Sequence, residues 1–562
     1  MNPVVILKKA NDYADKRSQS GYDDTEIKQR IKTIEDNYST KEYAETQNAV
    51  VIVSSNEKIK PEPGKIYVPE ISGGNIYMYL QSEYYGYIFT NVDFIIGNYN
   101  EDETYFYGIY NTHNNNDFKL RNFKLNRGGQ CIEINVTNDN TILTKTNTIS
   151  YTPINDYNPA TKKYVDDKIK IVTSKVYGFH IDSNNSSPSG SITYIGDAVG
   201  MTPAYMDYTN DVFNYGSWGD IWFIKNCKPC ILNQDGTVSA YLNKNDYSKD
   251  IYGVDVEIGE NLVGANVMIE FPKIWYKVEP DANNESSASV YISPVKVDEG
   301  YKDYAYIDYQ GNHKEHFYMP AYNGSNVNSV LRSLSGTSLA PTLNVQSEIE
   351  YSKANGSGWY TEDLGEIMLI NFLLILIGKS LDTQTVFGRG IDTGGEDVFN
   401  SYRTGAGNNK GMFWGSNDGS QLVKVFGIEN WWGLQNRRYA GDINDNGLRK
   451  IKLCYGNEDG STTVAFNTTG DGYVDINTTP TGTNGGYING MKFTEYGMFS
   501  STSNASSSTY YCDGQWFNNT RVTYAYRGGS SGESLKCGAF CTLLDHATTA
   551  NNWYHSANIS YK

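Results

Sequence analysis

Hydrophobic positions change their period along the chain, and each change predicts a different kind of element. In TEIKQRIKTIEDNY, Ile27, Ile31 and Ile34 recur at i, i+4 and i+7, an apolar helical stripe within a polar stretch over 1–45. Barely two heptads long, it reads as an oligomerising or docking helix, or as one packed on its own chain. Over 46–150 the period falls to two. NIYMYLQ alternates Ile76, Met78 and Leu80 with Tyr77 and Tyr79, and CIEINVT alternates Ile132, Ile134 and Val136 with polar partners. Turn-forming SGGN and NTHNNND separate such runs, so an antiparallel β-domain is expected.

The next stretch, NDYNPATKKYVDDKI at 155–169, returns to helical character within a linker spanning 151–175. Asn158 and Pro159 form a helix start, and Val165 and Ile169 share one face. Isolated helices shorter than ~12–15 residues are marginal in water, so copies from neighbouring chains are expected to pack on it. A homotrimer would bury Ile27, Ile31, Ile34, Val165 and Ile169 in this way.

From Val176 to Lys562 the pattern is β-rich with long loops. VMIEF alternates Val267, Ile269 and Phe271, and FPKIWYKVE carries a second apolar stretch. One strong helix is expected from Glu362 to Lys379. Its apolar run, Ile367 to Ile377, is interrupted by Asn371 and too short to span a bilayer, so it reads as buried. In VKVFGIENWWG, Val425 and Phe426 read as core and Trp431–Trp432 as a structural anchor, the functional alternative being a sugar-stacking pair. The fold class is therefore multidomain and mainly β with short helices.

Composition narrows the function. Hydrophobic residues are 39% and charged ones 20% of the chain, a globular balance. A net charge of −17 repels phosphate backbones, which argues against nucleic-acid partners. The 47 tyrosines exceed what cores need and suit interfaces, although an AT-rich genome would also enrich them. Seven scattered cysteines are no disulfide framework and suggest folding in a reducing cytosol, and the N-terminus has no signal-peptide core.

Catalytic and metal chemistry finds little support. DINDNG at 442–447 opens like a calcium loop, but its twelfth position is Leu453, where a bidentate carboxylate is required, so an Asx turn is expected. CKPC at 227–230 lacks a second ligand pair, and HKEH at 313–316 lacks zinc-helix spacing. Cofactors and metals are expected to be absent.

Several blocks resemble tail-fibre and baseplate proteins of phages that infect low-GC Gram-positive bacteria. YTPINDYNPATKKYVDDKI (151–169) resembles their linker. YGFHIDSNNSSPSGSITYIGDAVGMTPA, CKPCILNQDGTVSAYLNKNDY, VMIEFPKIWYK, TQTVFGRG, VKVFGIENWWG and YRGGSSGESLKCGAF resemble their receptor-binding region. The resemblance implies that 176–562 is receptor-binding, with a C-type-lectin-like α+β core over about 331–562, as in formylglycine-generating enzymes and retroelement variable proteins. It further implies a virion tail protein, made in the host cytoplasm, docked through its N-terminal part on other tail or baseplate proteins. Its partner would be a host surface polysaccharide or surface protein, without membrane insertion. The alternatives are a structural baseplate or fibre-shaft subunit and a glycan-cleaving tail protein.

The implied display loops lie in GQWFNNTRVTYAYRGGSSGES and HATTANNWYHSANISYK, whose aromatic, Ser, Asn and Gly content suits a binding face. The expected receptor-binding residues are Trp516, Tyr526, Arg527, Ser531, Glu533, Trp553, Tyr554 and His555. The formylglycine-enzyme likeness also draws attention to Cys537 and Cys541 after Arg527–Ser530, but their spacing departs from that family's, so no enzyme is expected.

Overall fold

The structure is a computed structural model. It describes residues 174–562 apart from 341 and 342, and the backbone of ten strands between Val50 and Thr146. The chain divides into two compact units, Met1–Ile169 and Lys170–Lys562. The helical readings of 1–45 and of the linker, with Ile27, Ile31, Ile34, Val165 and Ile169, lie outside the described residues.

In the first unit, the alternating segments form the expected strands. Asn75–Leu80 through Ile142–Thr146 make a continuous antiparallel meander of seven strands in chain order, with Lys58–Ile59 added in parallel at one edge. Such next-neighbour pairing follows from the short turn-rich spacers between runs.

The second unit is also mainly β. A four-stranded antiparallel sheet is ordered Ile192–Gly196, Tyr177–Ile181, Asn284–Ser293, Trp275–Asp281. A seven-stranded sheet joins Ala265–Pro272 and His316–Pro320 to Ile559–Tyr561 and Trp359–Thr361, so strands from both sides of residue 331 share one sheet. Ala265–Pro272 is buried at every position, not on alternate ones. Its polar Glu270 is accommodated by the Tyr241 and Tyr318 hydroxyls, which donate to Oε2 at 2.9 and 3.1 Å. The alternating VMIEF segment is thus a central strand, because sheet and core cover both its faces.

The helix Leu364–Gly378 is buried along its whole length, as an element apolar all round must be. Asp363 and Glu366 close a capping box at its start, and Lys379 ends it in the left-handed region at φ 49°. Asn371 is satisfied within the apolar run: its Nδ2 donates to Ala539 O at 3.0 Å, and Trp431 Nε1 donates to its Oδ1 at 3.2 Å. Val425, Phe426, Trp431 and Trp432 are all fully buried, which excludes the sugar-stacking reading of the Trp pair. Among the described residues no helix is long and apolar enough to cross a membrane.

Candidate functional site

The strand Val522–Arg527 organises the C-terminal loops. It pairs with Asn436–Asp445 on one side, Arg437 opposite Arg527 and Arg438 opposite Tyr526, and with Thr542–Leu544 on the other. Alternation sends its side chains two ways. Tyr526 joins Cys541, Leu543 and Trp516 in a satellite cluster, while Ala525 enters the main core.

On the core side, Arg527 lies 3.4 Å over the Trp431 ring, with Nη1 donating to Trp431 O at 2.7 Å and Nη2 to Glu362 at 3.2 Å. Arg437 forms an ion pair with the same carboxylate, and Glu362 and Arg437 are both fully buried. Burial pushes the Arg527 guanidinium down to about 9, with Glu362 acting against the shift. On the other side, Arg438 pairs with Glu348 at 2.6 Å and donates to the Tyr526 hydroxyl at 3.0 and 3.2 Å.

Above Arg438 runs a ridge of rings. Tyr526 lies 4.2 Å from His555 and 5.5 Å from His546, between ring centres. Tyr554 stands 5.8 Å from His546, Trp553 lies 5.3 Å from Tyr554, and Phe399 lies 6.1 Å from Trp553. Trp516 packs against the same satellite cluster from the neighbouring strand, opposite Leu543, with Lys536 Nζ 5.4 Å from its ring. His555 is held neutral, its pKa driven down to about 2 by burial, then by Arg438 and His546.

The eight expected receptor-binding residues therefore fall into two sets. Trp516, Trp553 and Tyr554 are half-buried, Trp553 and Tyr554 on the ridge and Trp516 beside the satellite cluster beneath it. Exposed Gly532, Ser534, Thr549, Asn551 and Asn552 come from the same loops. Asn552 Nδ2 donates to the Tyr554 hydroxyl at 2.8 Å, which fixes the ring from the loop side. Glu533 is also half-buried, but its carboxylate accepts from Asn436 Nδ2 at 3.2 Å and from Ser530 N, and burial raises its pKa. Tyr526, Arg527, Ser531 and His555 are corrections, being at most 3% exposed. Trp431 and the Glu362–Arg437 pair enclose Arg527 on the core side, and Tyr526 and His555 lie stacked against each other over Arg438. Ser531 spends its hydroxyl on Gly395 O at 2.9 Å. A residue so enclosed supports the face without reaching a partner.

Sequence reasoning missed Phe399, in the remote helix Gly395–Ser401, and Arg438 beneath the ridge. The only available signal was the paired NRRY, whose two arginines divide between opposite faces of a strand.

Other candidate chemistry resolves into structure. Asp442 is buried and pairs with Arg449 at 2.6 Å, while Asn446 and Gly447 take φ 54° and 97° between the paired Asp445 and Leu448. That is the positive-φ pair of a type I′ hairpin turn. Cys227 is buried just before the strand Lys228–Asn233 and Cys230 is buried within it, and burial pushes the Cys227 thiol up to about 12. Cys537 and Cys541 are buried too, with thiols raised well above the usual range by desolvation. His313 is bracketed by Asp303 and Glu458 at 2.8 Å each. Among the described residues no group of three His, Cys, Asp or Glu could hold a metal ion.

No protein-family model matches the chain, and no curated protein matches its sequence.

Proposed function

We propose that this chain is a virion tail protein that binds the bacterial host surface without catalysis, and that its receptor-binding end is C-type-lectin-like. One observation carries the reading: half-buried Trp553, Tyr554 and Trp516 sit among small polar loops on a base immobilised by buried ion pairs. Rigid rings give contact area at low entropy cost, and a fixed base keeps them in place. The resemblance of several sequence blocks to phage tail proteins supports the same reading. A non-catalytic role is favoured because buried, protonated Cys537 and Cys541 are poor nucleophiles.

The partner is a host surface polysaccharide or surface protein, with the N-terminal unit docking on other tail proteins. Trimerisation through Ile27, Ile31, Ile34, Val165 and Ile169 would raise avidity by roughly 10²–10⁴ over one weak site. Labelled full-length chain on host cells tests the reading, with saturable binding expected and none overturning it. Solution mass should be that of a trimer, and a monomer at micromolar concentration would remove the oligomeric part.

A second reading, a structural baseplate subunit, draws on exposed Ile251, Tyr252, Val254 and Val263, apolar residues of the kind that pack against neighbouring subunits. It predicts a protein that assembles into tails and ignores isolated cells.

A further inference from the structure

Away from the ridge, a half-open cleft of about 240 Å³ lies between the hairpin Tyr205–Asn214 and the loop 406–422. A smaller cavity, about 40 Å³ beside Arg449 and Arg527, has room for no more than water. The cleft is lined by Tyr208, Asp211, Lys410, Trp414, Asn417 and Gln421.

Its walls are held in place from both sides. Phe213 stacks on Phe413 at 4.7 Å and on Phe387 at 5.9 Å, which pins the hairpin to the core. Trp414 begins the strand that pairs with Val423–Val425, and its Nε1 donates to Asp211 at 2.6 Å. Asp211 takes φ 53°, a left-handed conformation that Asp tolerates, and its second oxygen accepts from Lys410 at 3.2 Å. Tyr208 donates to Gln384 O and Thr385 O at 3.1 and 3.0 Å, so its ring is fixed as well. In contrast, the amides of Asn417 and Gln421 are exposed and carry no side-chain hydrogen bond to any described residue. Tyr205 and Val212 add exposed apolar surface on the same hairpin.

We propose that this cleft is a subsite for a neutral saccharide unit, an inference that rests on the surface-binding function proposed above. Fixed Tyr208 supplies aromatic surface for the apolar C–H patch of a pyranose, beside Trp414, which forms the adjoining wall and carries the Lys410 ammonium 4.2 Å over its ring. The planar amides of Asn417 and Gln421 offer paired donors and acceptors for its hydroxyls. Anionic polymers fit poorly. Lys410, the one cation lining the cleft among the described residues, is neutralised by Asp211, and the whole chain carries −17.

The test titrates the full-length chain with neutral oligosaccharides of glucose, galactose and N-acetylglucosamine, read by tryptophan fluorescence and saturation-transfer NMR. Millimolar binding is expected for at least one. Trp414→Ala should weaken it by roughly tenfold or more. Because Trp414 packs near Leu422 and Leu434, that variant is paired with Asn417→Ala/Gln421→Ala, whose exposed side chains leave folding intact and whose affinity should also fall. Absence of binding by the wild-type chain across the panel, or unchanged affinity in the folded double variant, overturns the subsite. Host-cell binding is scored separately. Wild-type chain that binds cells but no neutral saccharide refutes the cleft alone, and chain that binds no cells refutes the surface-binding function whatever the cleft does.

Discussion

The Glu362 cluster and the Trp553–Tyr554 rim use similar residue types, yet they face opposite demands. Around Glu362, two arginines and a tryptophan are sealed from water, and every charge depends on one carboxylate. At the rim, the rings are half-covered, and the Tyr554 hydroxyl accepts from the loop amide of Asn552. In the first place removing a partner strands a buried charge. In the second it removes only area a ligand could use. The comparison teaches that an Arg or Tyr in a loop-like, Ser- and Gly-rich segment says nothing by itself about display.

The largest effect should come from Glu362→Ala. It leaves Arg437 and Arg527 uncompensated, and breaking buried pairs costs about 3–5 kcal/mol. Chemical denaturation should show that loss, and a midpoint within experimental error of wild type would mean the cluster is solvated. At the rim, Trp553→Ala with Tyr554→Ala should reduce host-cell binding by about 2 kcal/mol or more per site. Melting should shift far less than for Glu362→Ala. If the double variant unfolds instead, the two regions are one core and the comparison fails.

His555 sharpens the contrast through pH. Its folded pKa, about 2, lies below the unfolded value, so the unfolded state binds a proton first as pH falls through about 6.5. Its contribution to stability is therefore complete above that pH and declines below it, by about 2 kcal/mol at pH 5. Other groups contribute equally in both proteins, so the measurement is the stability difference between wild type and His555→Gln at pH 7 and pH 5. A difference that does not move with pH would show the ring to be hydrated. The smallest effect belongs to Tyr526→Phe, which removes the hydroxyl accepting from Arg438 and should cost about 1 kcal/mol in denaturation. Cell binding per folded molecule should stay the same, and a selective loss of binding would return Tyr526 to the display face.

Much of the fold was legible because it depended on local period. The two-residue alternation in NIYMYLQ and CIEINVT, the apolar helix within Glu362 to Lys379, and the turn within DINDNG each form what the residues prefer locally. Trp431 and Trp432 were also readable as interior, flanked as they are by apolar residues and glycine.

What sequence alone determined, then, was the β-rich class, the buried helix, and the short list of segments rich in rings and small polar residues. Tertiary structure alone decided which members of that list face outward. Tyr526 and Trp553 look alike in sequence, but strand pairing sets Tyr526 over Arg438, while Trp553 sits in a loop against Phe399 from far along the chain. The physical reason is that burial of a ring or a charge depends on contacts between distant segments. Arg527 meets Glu362 across 165 residues, and Lys562 meets Asp363 across 199. No window along the chain contains both partners, so their burial could be known only once the sheets had closed around them.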